Sequence, residues 1–385
     1  MTVDSRRACT PVRGAPAPGA MWVWMLRLAL SMLLALGAAD LRAEPYFAVQ
    51  TGHKCAQCHV NVTGGGMRTP FGNLFAQTQL AANKLDTGDA SWLGNIGTFF
   101  GLGANVRSAL TLTDVPGEPQ SNQFDLQEAR IYFSFTPIPN RLAVYIDQLV
   151  APGSSLNREA FVRYSTEDGQ YYVKAGRLYL PFGWRLQDEG AFVRTESGVN
   201  MSGSDTGVEV GWDSGPMAVR FAVSNGTFGG PEVDKSKQYS LQTEYVADAW
   251  RLGVAGNFND AAAGDRSVLG LFAGLRTGPV SWLAEFDSIE DRSFIPIAGR
   301  KKRSSAWLAE GNWRIVQGHN LKLTAEYLDP DQQIADNRQT RYSAVYEYSP
   351  IQYLQLRGGV RQFDGPQQFP AQNRRLYFLD LHGFF

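Results

Sequence analysis

From about Gly97 to the end, side chains alternate residue by residue between apolar or aromatic and polar. A period of two demands extended strands, because successive side chains of a strand point to opposite faces. Val280, Trp282, Ala284 and Phe286 alternate with Ser281, Leu283, Glu285 and Asp287. Ala129, Ile131, Phe133 and Phe135 alternate with Glu128, Arg130, Tyr132 and Ser134. Leu321, Leu323, Ala325 and Tyr327 do the same against Lys322, Thr324 and Glu326, as do Leu354, Leu356 and Val360 against Gln355, Arg357 and Arg361.

A soluble sandwich also alternates, with its apolar face turned inward. Three features favour a membrane barrel instead. Aromatic residues crowd the apolar face near strand ends, as in interfacial girdles. Tight links (137–140, 167–169, 213–216, 247–248, 277–279, 317–319, 349–352) alternate with longer ones (114–122, 181–205, 225–237, 288–303, 329–339, 364–373). Short periplasmic turns and long outer loops are the barrel rule. The last strand carries Tyr377, Leu379, Leu381 and a terminal Phe385, similar to the assembly signal of outer-membrane barrels.

The expectation is an all-β, transmembrane antiparallel β-barrel of about sixteen strands. An unpaired edge in hydrocarbon is too costly, so the sheet must close. An even count leaves both termini on the periplasmic side. Inward-facing Glu128, Arg130, Glu159, Arg163, Glu209, Glu285, Glu310, Arg314, Glu326, Glu347, Arg357 and Arg361 are expected to form a salt-bridged lumen network. The longest loop, 181–205, either folds inward as a constriction or stays outside.

Composition narrows the partners. A formal net charge of −1 on 385 residues leaves no basic stripe for nucleic acid. Arg6, Arg7 and Arg13 precede an apolar run from Met21 to Ala39, and Leu41-Arg42-Ala43 suits cleavage. Residues 1–43 therefore read as an export signal, with Met21 an alternative start. Cys9 falls inside it, which leaves Cys55 and Cys58 as the cysteines of the mature chain.

Cys55-Ala56-Gln57-Cys58-His59 has the spacing that attaches a c-type haem. Thiols one helical turn apart reach the two vinyl groups on one porphyrin edge, and His59 supplies the proximal iron ligand. A zinc site would want about four well-placed N/S ligands, and a thioredoxin-like site a βαβ context. Neither follows here. Met67, beyond the flexible Thr63–Gly66 run, is the expected distal ligand; alternatively it only packs on the porphyrin, or the position is open. His53 is the other nearby candidate and is expected on the attachment side. Residues 44–90 thus form a monohaem segment, with a Pro70-Phe71-Gly72 turn and a short helix over 73–85. Too short to enclose a haem, it should dock in or at the lumen of the barrel, residues 91–385. Asn61-Val62-Thr63 matches a glycosylation sequon, expected to be idle.

This order of signal, Cys55–His59, Phe71-Gly72-Asn73-Leu74-Phe75 and barrel resembles the fused cytochrome–porin family of outer-membrane iron oxidases. The barrel alone also looks like anion- or phosphate-selective porins through Gly176-Arg177 and Pro181-Phe182-Gly183. The first resemblance implies one covalent haem c held by Cys55, Cys58 and His59. It implies a protein in contact with outer-membrane lipid that oxidises external ferrous iron, or a similar donor, and passes electrons to a periplasmic cytochrome. An iron:cytochrome c oxidoreductase activity by outer-sphere transfer would follow. The competing expectations are a passive porin plugged by its haem segment, and an exporter of electrons to an outside acceptor.

Overall fold

A computed structural model describes residues 44–385, apart from 87–91, 154–156, 200, 202, 233, 261–263 and 293–299. The expected export signal and the expected domain boundary at 90 lie outside the described residues.

Sixteen long strands run antiparallel, each bonded to the next: β1 (Phe100–Asp114), β2 (Ser121–Ile138), β3 (Leu142–Ala151), β4 (Asn157–Ser165), β5 (Tyr171–Leu178), β6 (Asp205–Ser214), β7 (Met217–Ser224) and β8 (Gln238–Val246). They continue as β9 (Trp250–Asn259), β10 (Arg266–Thr277), β11 (Val280–Asp291), β12 (Lys302–Val316), β13 (His319–Asp329), β14 (Gln339–Tyr348), β15 (Leu354–Asp364) and β16 (Arg375–Phe384). β16 pairs with β1 from Arg375↔Asp114 to Phe384↔Asn105, so the sheet closes on itself. A two-residue strand, Asn95–Ile96, lies against the start of β1.

The polarity of the wall separates barrel from sandwich. On β11, Trp282 is 50% exposed and Phe286 44%, whereas Glu285 and Asp287 are 3% and 0% exposed. Apolar side chains out and charged ones in is the reverse of a water-soluble core, and it is how a lipid-facing barrel is dressed. Many of the inward charges are paired: Arg130 with Asp147 at 2.6 Å, Lys174 with Glu209 at 3.1 Å, Arg251 with Glu244 at 3.1 Å, and Arg357 with Glu347 at 3.4 Å, whereas Arg163 and Arg314 of the expected network donate to the Val60 and Gln79 carbonyls. Unpaired, such groups would pull strongly against burial. All seven tight links expected from the sequence join strands at one end. The other end has the longer connections expected, together with two shorter ones between Ala151 and Asn157 and between Asn259 and Arg266 that sequence patterning missed.

The N-terminal segment enters at the short-turn end. Helix α1 (Pro45–Thr51) places Gln50 Nε2 to donate to the Gly278 carbonyl at 3.1 Å, and Lys54 pairs with Asp213 beside the β6–β7 turn. Farther on, the Ala82 and Asn83 amides donate to Ser349 and Pro350 carbonyls at 2.7 and 2.8 Å. Inside, Tyr46 donates to Glu347 at 2.9 Å and Glu44 pairs with Lys322 at 3.0 Å. Asn61 Nδ2 donates to both Glu159 oxygens, at 2.8 and 2.7 Å. A side chain so held, 1% exposed, takes no glycan. The segment is a lumen plug.

Its helices differ from the sequence expectation. Pro70-Phe71-Gly72 is not a separate turn but the first turn of α3 (Pro70–Phe75). Thr69 caps it, its hydroxyl accepting from the Gly72 amide at 3.1 Å, and Pro70 suits the first helical position. The helix then widens to a π-turn, Ala76–Leu80, and stops short of Leu85.

Candidate functional site

Cys55–Cys58 form a single helical turn, α2, after which His59 is extended. Gln57 sets the turn: its side-chain oxygen accepts from the Lys54 amide at 2.9 Å, while its own amide donates to the Lys54 carbonyl at 3.1 Å. Thr69 clamps α3 onto this turn. Its amide donates to the Cys58 carbonyl at 3.0 Å, and its hydroxyl donates to the Gln57 carbonyl at 2.7 Å.

Gly64, Gly65 and Gly66 follow with φ of 91°, 81° and 65°. Three consecutive left-handed residues suit glycine, which lacks the Cβ that strains others there. They reverse the chain, so the Val60 amide donates to the Met67 carbonyl at 3.0 Å and His59 pairs with Arg68 as an isolated bridge. The Met67 amide donates to the Tyr145 hydroxyl at 2.9 Å.

Cys55, Cys58 and His59 all line one cavity, with about 860 Å³ of empty space. Phe47 and Leu80 of the plug, Trp184 and Arg185 of the long loop, and Arg220 and Phe272 of the wall surround it. Trp184 packs edge-on against Phe272, their centroids 5.2 Å apart. A second cavity, about 580 Å³, adjoins it and shares His59, Gly65, Arg68 and Arg185.

The chemistry of the donors suits a covalently held, iron-bearing group. The two thiols are free rather than bridged. Burial, together with the neighbouring Cys55, raises the Cys58 thiol to about 11, against a weak counter-effect of Arg68. Burial and Glu244 also raise Cys55. His59 is 6% exposed, its ring set against the backbone of Gly65, Gly66 and Met67. Burial first, and Arg68 second, push its imidazole down to about 4 against the raising effect of those backbone groups, so it is neutral at physiological pH. A neutral imidazole is the form that ligates metal.

Met67 is the exception. Expected as distal ligand, it is instead 4% exposed in a cluster with Tyr132, Tyr145 and Phe161, outside both cavities. The glycine reversal and the Tyr145 hydrogen bond turn its thioether to the barrel wall. His53 does line the cavity, its ring 5.4 Å from that of Phe71.

The loop 179–204 settles the alternative left open by the sequence: it folds inward. Asp188 pairs with Arg341 and Arg361, both at 2.9 Å, across the lumen. Trp184 N donates to Glu285 at 3.0 Å, Arg194 pairs with Glu285, and helix α4 (Phe192–Ser197) donates its Phe192 amide to Glu326 at 2.8 Å. Burial opposes ionisation of Asp188, but the two arginines more than offset it and hold its carboxyl well below the usual range. Loop and plug meet where Arg185 Nη2 donates to Thr63 Oγ1 at 3.1 Å. Trp184, Arg185, Arg220, Gln242 and Glu244 were absent from the candidate site residues. For the first two the length of their loop was a signal; for the others, only inward parity.

No protein-family model matches the chain, and no curated protein does. Solved structures do. An anion-selective porin from Comamonas acidovorans is 12% identical over 74% of this chain and 99% of its own, with a TM-score of 0.58. A loop-deletion mutant of OmpT, an outer membrane protein of Vibrio cholerae, is 12% identical over 75% and 100%, with a TM-score of 0.57. Another porin is 15% identical over 74% and 100%, with a TM-score of 0.52. At such identities the likeness is one of fold: this chain is built as a closed, sixteen-stranded, porin-like antiparallel barrel.

Proposed function

We propose that this protein resides in an outer membrane, carries one covalent haem c in its lumen, and conducts electrons through the barrel. The observation behind this is that Cys55, Cys58 and a buried His59 line a single cavity inside a lipid-facing cylinder. Cys55 and Cys58 would hold the porphyrin as thioethers, and His59 would ligate its iron. A haem bound there supplies one-electron chemistry, at a potential tuned by ligation and burial. Phe47, Leu80, Trp184 and Phe272 would keep water from it. The wall spans a lipid layer about 30 Å thick that otherwise insulates.

External ferrous iron, or a similar outer-sphere donor, is the proposed source of electrons, and a periplasmic cytochrome the proposed acceptor. The reaction would be that of an iron:cytochrome c oxidoreductase. The same haem run in the other direction would export electrons, and its potential decides between them. A redox titration of purified protein with added ferrous iron is the test. The expected result is a c-type spectrum reduced by iron; a colourless protein from a host that matures cytochromes would refute the reading.

The second reading is a passive, anion-selective type of pore with the N-terminal segment as plug. The fold likenesses to porins, one of them described as anion-selective, support it more directly than they support electron transfer. Single-channel conductance separates the two. The redox reading expects a nearly closed barrel that opens when residues 44–86 are deleted. The pore reading expects anion conductance from the full chain, unchanged by Cys55→Ala.

A further inference from the structure

The inward loop delivers one guanidinium, Arg185, to the partition between the two lumen cavities, where it lines both. Its Nη2 donates to Thr63 Oγ1 at 3.1 Å and to the Leu180 carbonyl at 3.2 Å, and its charge lies 4.7 Å from the centroid of the Tyr179 ring. Its Nε is buried with no partner. Among the described residues no carboxylate forms an ion pair with it. Arg130, Arg194, Arg251, Arg341 and Arg357 each have one, whereas Arg220, like Arg185, does not. The hydrogen bonds of Arg185 all go to neutral acceptors, with Glu159 and Glu209 acting on it only through space, so its half-buried guanidinium keeps donors for a closer anion.

Its location says which anion. A Cβ placed on Gly64 would stand 3.5 Å from the Cys55 sulfur and 4.0 Å from the Arg185 Cβ, so one glycine's width separates loop from attachment site. Gly65 lies equally close to the Arg185 side chain. The competing cations of the cavity are engaged. Arg220 gives Nη1 to Gln242 at 3.0 Å and Nη2 to the Val62 carbonyl at 3.3 Å, with Glu244 on the same cavity wall. Arg68 lies over the Phe384 ring, 3.6 Å from its centroid.

Resting on the haem reading, we propose that Arg185 is a positioning residue: its guanidinium pairs with a propionate carboxylate of the porphyrin held at Cys55, Cys58 and His59. Seating the haem thereby also seats the loop 179–204. The pairing would be charge-assisted, through the guanidinium donors that Thr63 and Leu180 leave free. It gives the glycine run a second purpose, since side chains at Gly64 or Gly65 would intrude between the two partners.

The test compares wild type, Arg185→Gln and Arg185→Lys from a cytochrome-maturing host, with haem content measured first. A wild type without covalent haem overturns the underlying reading itself, a result distinct from those that follow. With haem present, Arg185→Gln is expected to lower the potential, because removing a nearby cation favours the ferric state. A tenfold shift of the ferric–ferrous equilibrium, about 59 mV for one electron, is the expected scale. Arg185→Lys should recover most of it. Hydrogen exchange over residues 179–204 should slow on haem loading in wild type and not in Arg185→Gln. An unchanged potential in the glutamine variant, with loop exchange indifferent to haem, overturns the proposal. Should that variant not assemble, the wild-type loop with and without haem decides: protection gained supports the pairing, and none gained refutes it.

Discussion

Substituting Gly72 by alanine tests whether the attachment turn is held by close backbone packing. A Cβ there would overlap the Cys58 carbonyl oxygen and stand 3.0 Å from its carbon and 3.1 Å from its Cα, inside the 3.4 Å at which ordinary contact begins. No flexible side chain can yield, because the obstacle is backbone. Helix α3 must lift from α2 by roughly an ångström to restore van der Waals separation. That would stretch both Thr69 bonds, now 3.0 and 2.7 Å, past useful length. Losing two such bonds at ~1 kcal/mol each, plus overpacking of ~1–3 kcal/mol, gives a local cost of about 3–5 kcal/mol. At 1.4 kcal/mol per factor of ten, the segment should open at least roughly 100-fold more often. Hydrogen exchange of peptides covering 55–80, referenced to strand peptides in the same sample, reads this directly. Gly256→Ala is the control, because a Cβ there meets nothing within 4 Å. Exchange in 55–80 that matches wild type would show that the two helices are not in contact as described.

Three further outcomes follow from the same geometry. In haem-free protein at pH 8, raising the Cys58 thiol from 9.0 to about 11 should slow alkylation by about 100-fold, and the rate should keep climbing with pH toward 11; a plateau near pH 9 would contradict it. Asn61→Leu removes the two Nδ2 bonds to Glu159, leaving it the Tyr179 amide, at a cost of ~1–3 kcal/mol, so limited proteolysis should cut residues 44–86 faster while sparing the strands. Lys322 lies 3.0 Å from Glu44 and 3.4 Å from Glu347, so Lys322→Met should destabilise plug and wall together by ~3–5 kcal/mol, visible as a lower unfolding temperature in detergent.

The wall was legible in the sequence because a strand's facing is a local property. Trp282 and Glu285 declare their sides through parity alone, and links such as 277–279 through their turn residues. The meeting of Cys55, Cys58 and His59 on one cavity was legible for the same reason, since they belong to one turn and its exit. What the sequence left open was whatever distant partners set. Met67 was expected as distal ligand, as a packing residue or beside an open position, and its direction depends on three glycine dihedrals and on Tyr145, 78 residues away. Whether the long loop turned inward depended on Asp188 finding Arg341 and Arg361, and no periodicity encodes that. The start of α3 was misjudged because Pro70-Phe71-Gly72 suits a turn and a first helical turn equally well, and the Thr69 cap decides.

The walls around His59 impose a chronology on any cofactor fastened there. Machinery that attaches haem must handle the thiols and the imidazole in the open. Once β1 has zipped to β16, His59 is enclosed on every side by plug, loop and staves. On the haem reading, the pigment must therefore be aboard while the polypeptide is still crossing the periplasm unfolded. A copy that closed too early would stay colourless for good.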